Sequence, residues 1–254
     1  MPGDLRGVRL KLERAQRHRH DLDGLLQGPG GTGFFRLQIK EQVAGVFELR
    51  AQRYRDSGPV AVLLGDLVHN LRAALDHLVW QLVLANGGQP GRQHAFPLCL
   101  EPAEFARCRP SHLAGVADEP GRMIEGIQPY QSNWTFDRNM HPLWVLHALD
   151  VTDKHRLLNT VSLRPAAGTI GFSPDWTPDH VEVVDLGDRP IEDGMVVARI
   201  WASSPPELNE GTTFQARILI EENDRMPAVE LGVLDDMTDL VTSFVDEIAR
   251  FVEG

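Results

Sequence analysis

From Val60 to Ala85 the sequence repeats its apolar residues at helical spacing with no proline in between. Successive residues of a helix turn by about 100° around its axis. Leu64, Leu67, Leu71, Ala74, Leu75, Leu78 and Leu82 then fall on one arc, which is a core face. Asp66, His69, Asn70, Ala73, His77 and Trp80 fall on the opposite arc. Arg72 and Asp76 lie beside that arc, four residues apart, where they can pair. An ordinary solvent face uses Glu, Lys, Gln and Arg, which are good helix formers. Aspartate, histidine and asparagine with a tryptophan are poorer choices and need a reason beyond solubility. One reason is a second contact layer, in which His and Asn bond the backbone of a packed loop. The other is a site that handles protons or a polar ligand. The first accounts for any one of these residues; the whole constellation points to a site.

The rest of the chain predicts helices and strands in both halves. Asp4–Gln27 reads as a helix, stopped by Gly28-Pro29-Gly30-Gly31. Phe35, Leu37 and Ile39 alternate with Arg36, Gln38 and Lys40, as in a half-buried strand. Val46–Tyr54 reads as its partner, although Glu41–Arg55 also fits a helix. Ser57-Gly58-Pro59 opens the long helix and Asn86-Gly87-Gly88 closes it. Six prolines break up Gln89–Gln131, leaving short helices at Pro102–Arg107 and Pro120–Ile127. A second long helix runs from Pro142 to about His155. Strands follow at Leu157–Leu163, Val181–Leu186, Val196–Ala202 and Thr213–Glu221, then an amphipathic helix at Leu234–Val252. No linker, repeat or low-complexity segment divides the chain. The expected fold is α+β over residues 1–254 as one domain: a helical core of long amphipathic helices beside an antiparallel sheet.

Composition narrows the function classes. The net charge of −11 disfavours general attraction to nucleic acid or anionic membrane. The exception is the first helix, where Arg6, Arg9, Lys11, Arg14, Arg17 and Arg19 cluster with His18 and His20. That patch reads as a solvated face or as a phosphate contact. No apolar run reaches the ~18 residues of a membrane span, so no membrane partner is expected. No secretory signal is expected either. Cys99 and Cys108, the only cysteines, make no disulfide framework, and a reducing cytoplasm fits. Cys99, within Phe96-Pro97-Leu98-Cys99-Leu100, reads as a buried, inert thiol.

The second candidate helix places His147, Asp150 and Lys154 on one face. Asp150 and Lys154 also have the spacing of an exposed ion pair. If this helix crosses the first, its polar residues converge on Asp66, His69, Asn70 and His77. A metal there is not expected. His69 and His77 are about 12 Å apart along the axis, whereas zinc ligands sit about 2 Å from the ion. No His-Glu-x-x-His or paired-cysteine motif occurs, no phosphate loop follows Gly28–Gly33, and no cofactor is expected.

Arg72-Ala-Ala-Leu-Asp-His77 resembles the Arg-x(4–6)-His helix motif of HEPN domains. The same spacing occurs at Arg14–His20 and Arg107–His112, but only this instance lies on a long amphipathic helix with other polar residues. HEPN motifs often place Asn, Asp or His after the arginine, where Ala73 stands here. The resemblance implies a dimeric helical module, often a metal-independent ribonuclease of toxin–antitoxin or phage-defence systems. It implies RNA and a homodimer as partners. Arg72 would stabilise phosphate charge, His77 would act as general acid/base at a ribose 2′-hydroxyl, and Asp76 would orient one of them. A wider likeness to an uncharacterised bacterial family covers the Asp66–Leu82 helix, Phe96-Pro97-Leu98, Ile124–Tyr130, Leu143-Trp144 and Asp153-Lys154-His155-Arg156. It groups these segments into one module and supplies no activity. The alternative is a non-catalytic binding or scaffolding protein whose polar face orders loops such as Pro129–Met140.

Overall fold

The computed structural model describes residues 3–26, 34–131, 138–155 and 161–253, without the side chains of residues 154 and 155. The expected helix stop at 28–31 and the beginning of the strand expected from Leu157 lie outside the described residues. The fold is α+β. In chain order the elements are α1 (Arg6–Leu26), β1 (Phe35–Val43), β2 (Val46–Arg53), α2 (Gly58–Ala85), α3 (Pro102–His112), α4 (Asp118–Gly126) and α5 (Pro142–His155). There follow β3 (Val161–Thr169), β4 (His180–Val183), β5 (Met195–Trp201), β6 (Thr213–Ile220), β7 (Val229–Glu230), α6 (Val233–Ile248) and α7 (Arg250–Glu253).

Contacts cluster into two compact units. The helical unit comprises residues 1–21, 61–159 and 221–254; the strand-rich unit comprises 22–60 and 160–220. The chain passes between them four times: inside α1, inside α2, at 159–160 and just after β6.

In the helical unit, the core takes Leu5, just before α1, with Val8, Leu12 and Ala15 of α1 and Leu64, Leu67, Leu71, Leu75 and Leu78 of α2. Leu143, Leu146 and Leu149 of α5 join them, with Met237, Val241, Phe244 and Ile248 of α6. Phe96 meets Phe244 edge to face, with ring centroids 5.8 Å apart. α3 is longer than the sequence predicts and runs through Pro110 to His112. α4 starts at Asp118, so Pro120 falls in its first turn, where no intrahelical N–H bond is lost.

In the strand-rich unit, β1, β2, β5 and β4 pair antiparallel in that order, and β3 pairs antiparallel with β6. The ambiguous stretch 41–55 is strand. The hairpin turns at Gly45, whose φ of 76° favours glycine, and Val43 pairs with Val46. Phe47, Ile200, Trp176 and Ala202 form a buried cluster with Ile39, Phe172 and Val181 packed against it. The opposite face of the sheet carries Glu48, Arg50, Arg199 and Glu182 as an ion-pair network. A half-open cavity of about 600 Å³ also lies in this unit, lined by Leu37, Leu49, Val183, Val197 and Phe214 among others. Its only charged lining residue is Asp185, so it offers no convergent chemistry.

Candidate functional site

α2 exposes a narrow polar strip. Asp66, His69, His77 and Trp80 are solvent-facing, while the leucines of the opposite arc are fully buried. Asn70 belongs to the same arc but is buried, and its Nδ2 donates to the Asp66 carbonyl at 2.7 Å. Its polarity is used inside its own helix.

α5 borders one flank of the strip. Nδ1 of His69 lies 3.8 Å from Oδ1 of Asp150. The carboxylate is 5 % exposed and the imidazole 54 % exposed. The separation exceeds a hydrogen bond. One turn earlier, a methyl group at Gly65 would stand 2.6 Å from Oδ1 of Asp153. A side chain at this position would have to displace the Asp153 carboxylate, so α5 approaches α2 closely here.

α1 borders the other flank. A methyl at Gly7 would stand 3.9 Å from Nδ1 of His77. Near the other end, Asp66 acts electrostatically on His18. His18 is 4 % exposed, and its Nδ1 has no hydrogen-bond partner. Burial pushes its pKa down, with Arg14 adding to the effect and Asp66 and Asp21 opposing it. Gly7, Lys11, Arg14 and His18 share one arc of α1. Arg6, Arg9 and Arg19 are paired with Asp4, Glu253 and Asp235. Lys11, Arg14 and Arg17 make no ion pair among the described residues, and Lys11 and Arg14 lie on the arc that includes Gly7 and His18.

Arg72 and Asp76 form a separate group on the edge of α2. Arg72 Nη2 donates to Asp76 Oδ1 at 2.9 Å and to the Phe96 carbonyl at 2.7 Å. The Phe96 N–H donates to the same carboxylate oxygen at 2.8 Å. The pair therefore clamps both polar groups of the Phe96 peptide unit. The Arg72 side chain is 12 % exposed, and its buried Nη1 has no hydrogen-bond partner. His112 is close enough to feel Arg72, and its Nδ1 is likewise buried without a partner. Burial first, and Arg72 second, push its pKa down.

His147 is half-buried, its ring 5.2 Å from that of Trp144. The side chain of Lys154 and residues 132–137 of the loop expected to be ordered lie outside the described residues. Thus His69 meets Asp150, Asp66 and His77 share the strip, and Arg72 with Asp76 turns to the Phe96 loop. Sequence reasoning placed His18 in the basic cluster of the first helix without its burial, and missed the roles of Asp153 and the Phe96 backbone. The glycine at 65, unusual inside a long helix, was the available signal for the close approach of Asp153. Among the described residues, no group of three His, Cys, Asp or Glu could hold a metal ion. No described helix is long and apolar enough to cross a membrane.

No family model, curated protein or solved structure matches this chain.

Proposed function

We propose that the helical unit is an HEPN-like RNA-binding module with a metal-independent acid–base site, in which His69 moves the proton. The observation that carries this reading is the exposed His69 imidazole beside the buried Asp150 carboxylate. A carboxylate behind an imidazole is the arrangement that orients the ring for proton transfer once the two close to hydrogen-bond distance. Lys11 and Arg14 supply uncommitted positive charge for phosphate along the same face. RNA as the substrate class rests on the Arg72–His77 resemblance. Within that motif the roles shift: Arg72 is already committed to Asp76 and the Phe96 carbonyl, so it positions a loop.

One histidine cannot serve both sides of a scissile bond, and His77 is about 12 Å from His69 along the axis. A homodimer, which the resemblance also implies, would bring the second proton-transfer group from another copy.

The test is turnover of single-stranded RNA by chelator-treated protein, with melting temperatures measured on the same samples. Wild type should cleave. His69→Ala should lose about 10²–10⁴-fold in rate with its melting temperature unchanged. Arg72→Ala should lose stability as well as activity, because it leaves Asp76 unpaired. Full activity in His69→Ala would sink the proton-transfer role. The clamp on Phe96 favours a second reading, a non-catalytic binding or scaffolding module. That reading forecasts no cleavage by wild type and a lowered melting temperature for Arg72→Ala alone.

A further inference from the structure

We propose that Cys99 and Cys108 form a reversible oxidation site, which takes peroxide-class two-electron oxidants and closes to a disulfide within the chain. Both cysteines are free thiols, and their sulfur atoms are 3.8 Å apart. A disulfide needs about 2.05 Å. The remaining gap is to be closed by rotating the two side chains, with a small adjustment of the α3 backbone at Cys108.

The surroundings hold the two sulfurs in register. Cys99 N–H donates to Oε1 of the fully buried Gln128 at 3.0 Å. Gln128 Nε2 donates to the carbonyls of Pro97 and Ile124 at 3.0 and 2.9 Å. This pins Pro97–Cys99 to α4. Cys108 projects from α3, with Sγ 3.5 Å from the Phe105 carbonyl. The pair is asymmetric: Cys99 is buried and Cys108 half-buried. Burial pushes the Cys99 thiol up to about 12, with Cys108 adding to the effect. Cys99 therefore stays protonated, and Cys108 meets the oxidant first.

The steps balance. The Cys108 thiolate attacks one oxygen of hydrogen peroxide; the O–O bond breaks, hydroxide leaves, and Cys108 becomes a sulfenic acid. The Cys99 sulfur then attacks the Cys108 sulfur. The S–S bond forms, the S–O bond breaks, and the departing hydroxide takes the Cys99 proton as water. Two thiols and one peroxide give one disulfide and two waters.

The bond would tether α3 to the segment that begins at Phe96, whose N–H and carbonyl hold Asp76 and Arg72. Oxidation therefore acts on the clamp of α2 and not on the His69 strip.

Hydrogen peroxide added to the purified full chain, followed by native-state alkylation, tests the proposal. The intact mass should fall by two hydrogens, and digestion should give one peptide pair joined through Cys99 and Cys108. Dithiothreitol should restore both thiols. The melting temperature of the oxidised form should rise. Cys108→Ser should leave Cys99 unreactive to peroxide under the same conditions. Two free thiols after treatment, Cys108 as sulfinic acid with Cys99 still free, or a disulfide between two chains would each overturn the site. A disulfide formed without a rise in melting temperature would overturn the tether.

Discussion

The two units each carry a conspicuous polar face, and the faces are built on opposite terms. On the four-stranded sheet, Glu48 is buried and paired with Arg50 beside it and Arg199 across the strands. Arg199 also pairs with Glu182, and Arg36 bonds Gln52. Glu48, Arg50, Arg199 and Glu182 each meet an opposite charge, so this part of the face satisfies itself. On α2, Asp66, His69 and His77 stand exposed, and among the described residues the ion-pair contact of His69 is the 3.8 Å approach of Asp150. Polar groups that satisfy one another belong to the scaffold. Polar groups with capacity to spare, on residues that weaken the helix, are what a ligand could use.

Acid should separate the units most strongly. Among the described residues, the histidines with lowered pKa are His18, His112 and His141, all in the helical unit. His141 precedes α5, its carbonyl accepting the N–H groups of Trp144 and Val145, and burial pushes its imidazole down to about 4. The unfolded chain takes up that proton near pH 6.5. Between about 6.5 and 4 the unfolded state therefore binds more protons. The contribution of His141 is fully present above 6.5 and is lost as pH falls towards 4. Each pKa unit corresponds to about 1.4 kcal/mol, so the loss is about 3 kcal/mol. His18 and His112 act in the same direction. Hydrogen exchange followed during acidification should show α1, α2 and α5 losing protection before β1, β2 and β5. His141→Gln should flatten the profile. Simultaneous loss in both units would break the contrast.

A smaller effect tests the self-satisfied face. Glu48→Ala removes a buried carboxylate and leaves Arg50 and Arg199 facing each other. Both arginines are more than a quarter exposed, so water screens part of the cost. A loss of about 2 kcal/mol in denaturant unfolding is expected, with normal cleavage in any RNA assay. A neutral result would show that the sheet face, too, has capacity to spare.

The long helices were legible because their apolar spacing is local information. The hairpin at 35–53 was half legible: Glu41–Arg55 satisfies both periods, and only pairing across Gly45 decides for strand. The two units were not legible, because each is assembled from separated stretches of chain and two of the four passages fall inside α1 and α2, where the helical pattern runs on unbroken. Within the site, Asp150 could be placed on a helix face, but its meeting with His69 spans most of α2, two short helices and their loops. His18 read as part of a solvated basic face yet is buried, since the helix that covers it cannot be inferred from α1 alone. The clamp on Phe96 was invisible for a deeper reason. It uses a peptide N–H and carbonyl, which every residue but proline carries and no motif records.

The smallest expected effect is the most discriminating. If the strip on α2 is not part of the scaffold, its removal should hardly be felt by the fold. His69→Ala and His77→Ala each delete an exposed imidazole and put a better helix former in its place. Folding stability should change by no more than about 0.5 kcal/mol in either variant. His69→Ala should lie on the less stable side of His77→Ala, because it leaves the Asp150 carboxylate without its neighbouring imidazole. Chemical denaturation at neutral pH, read by tryptophan fluorescence, resolves this. A loss above about 2 kcal/mol for His77→Ala would place that histidine among the structural contacts of α1, and would move the strip to the same side of the comparison as the sheet.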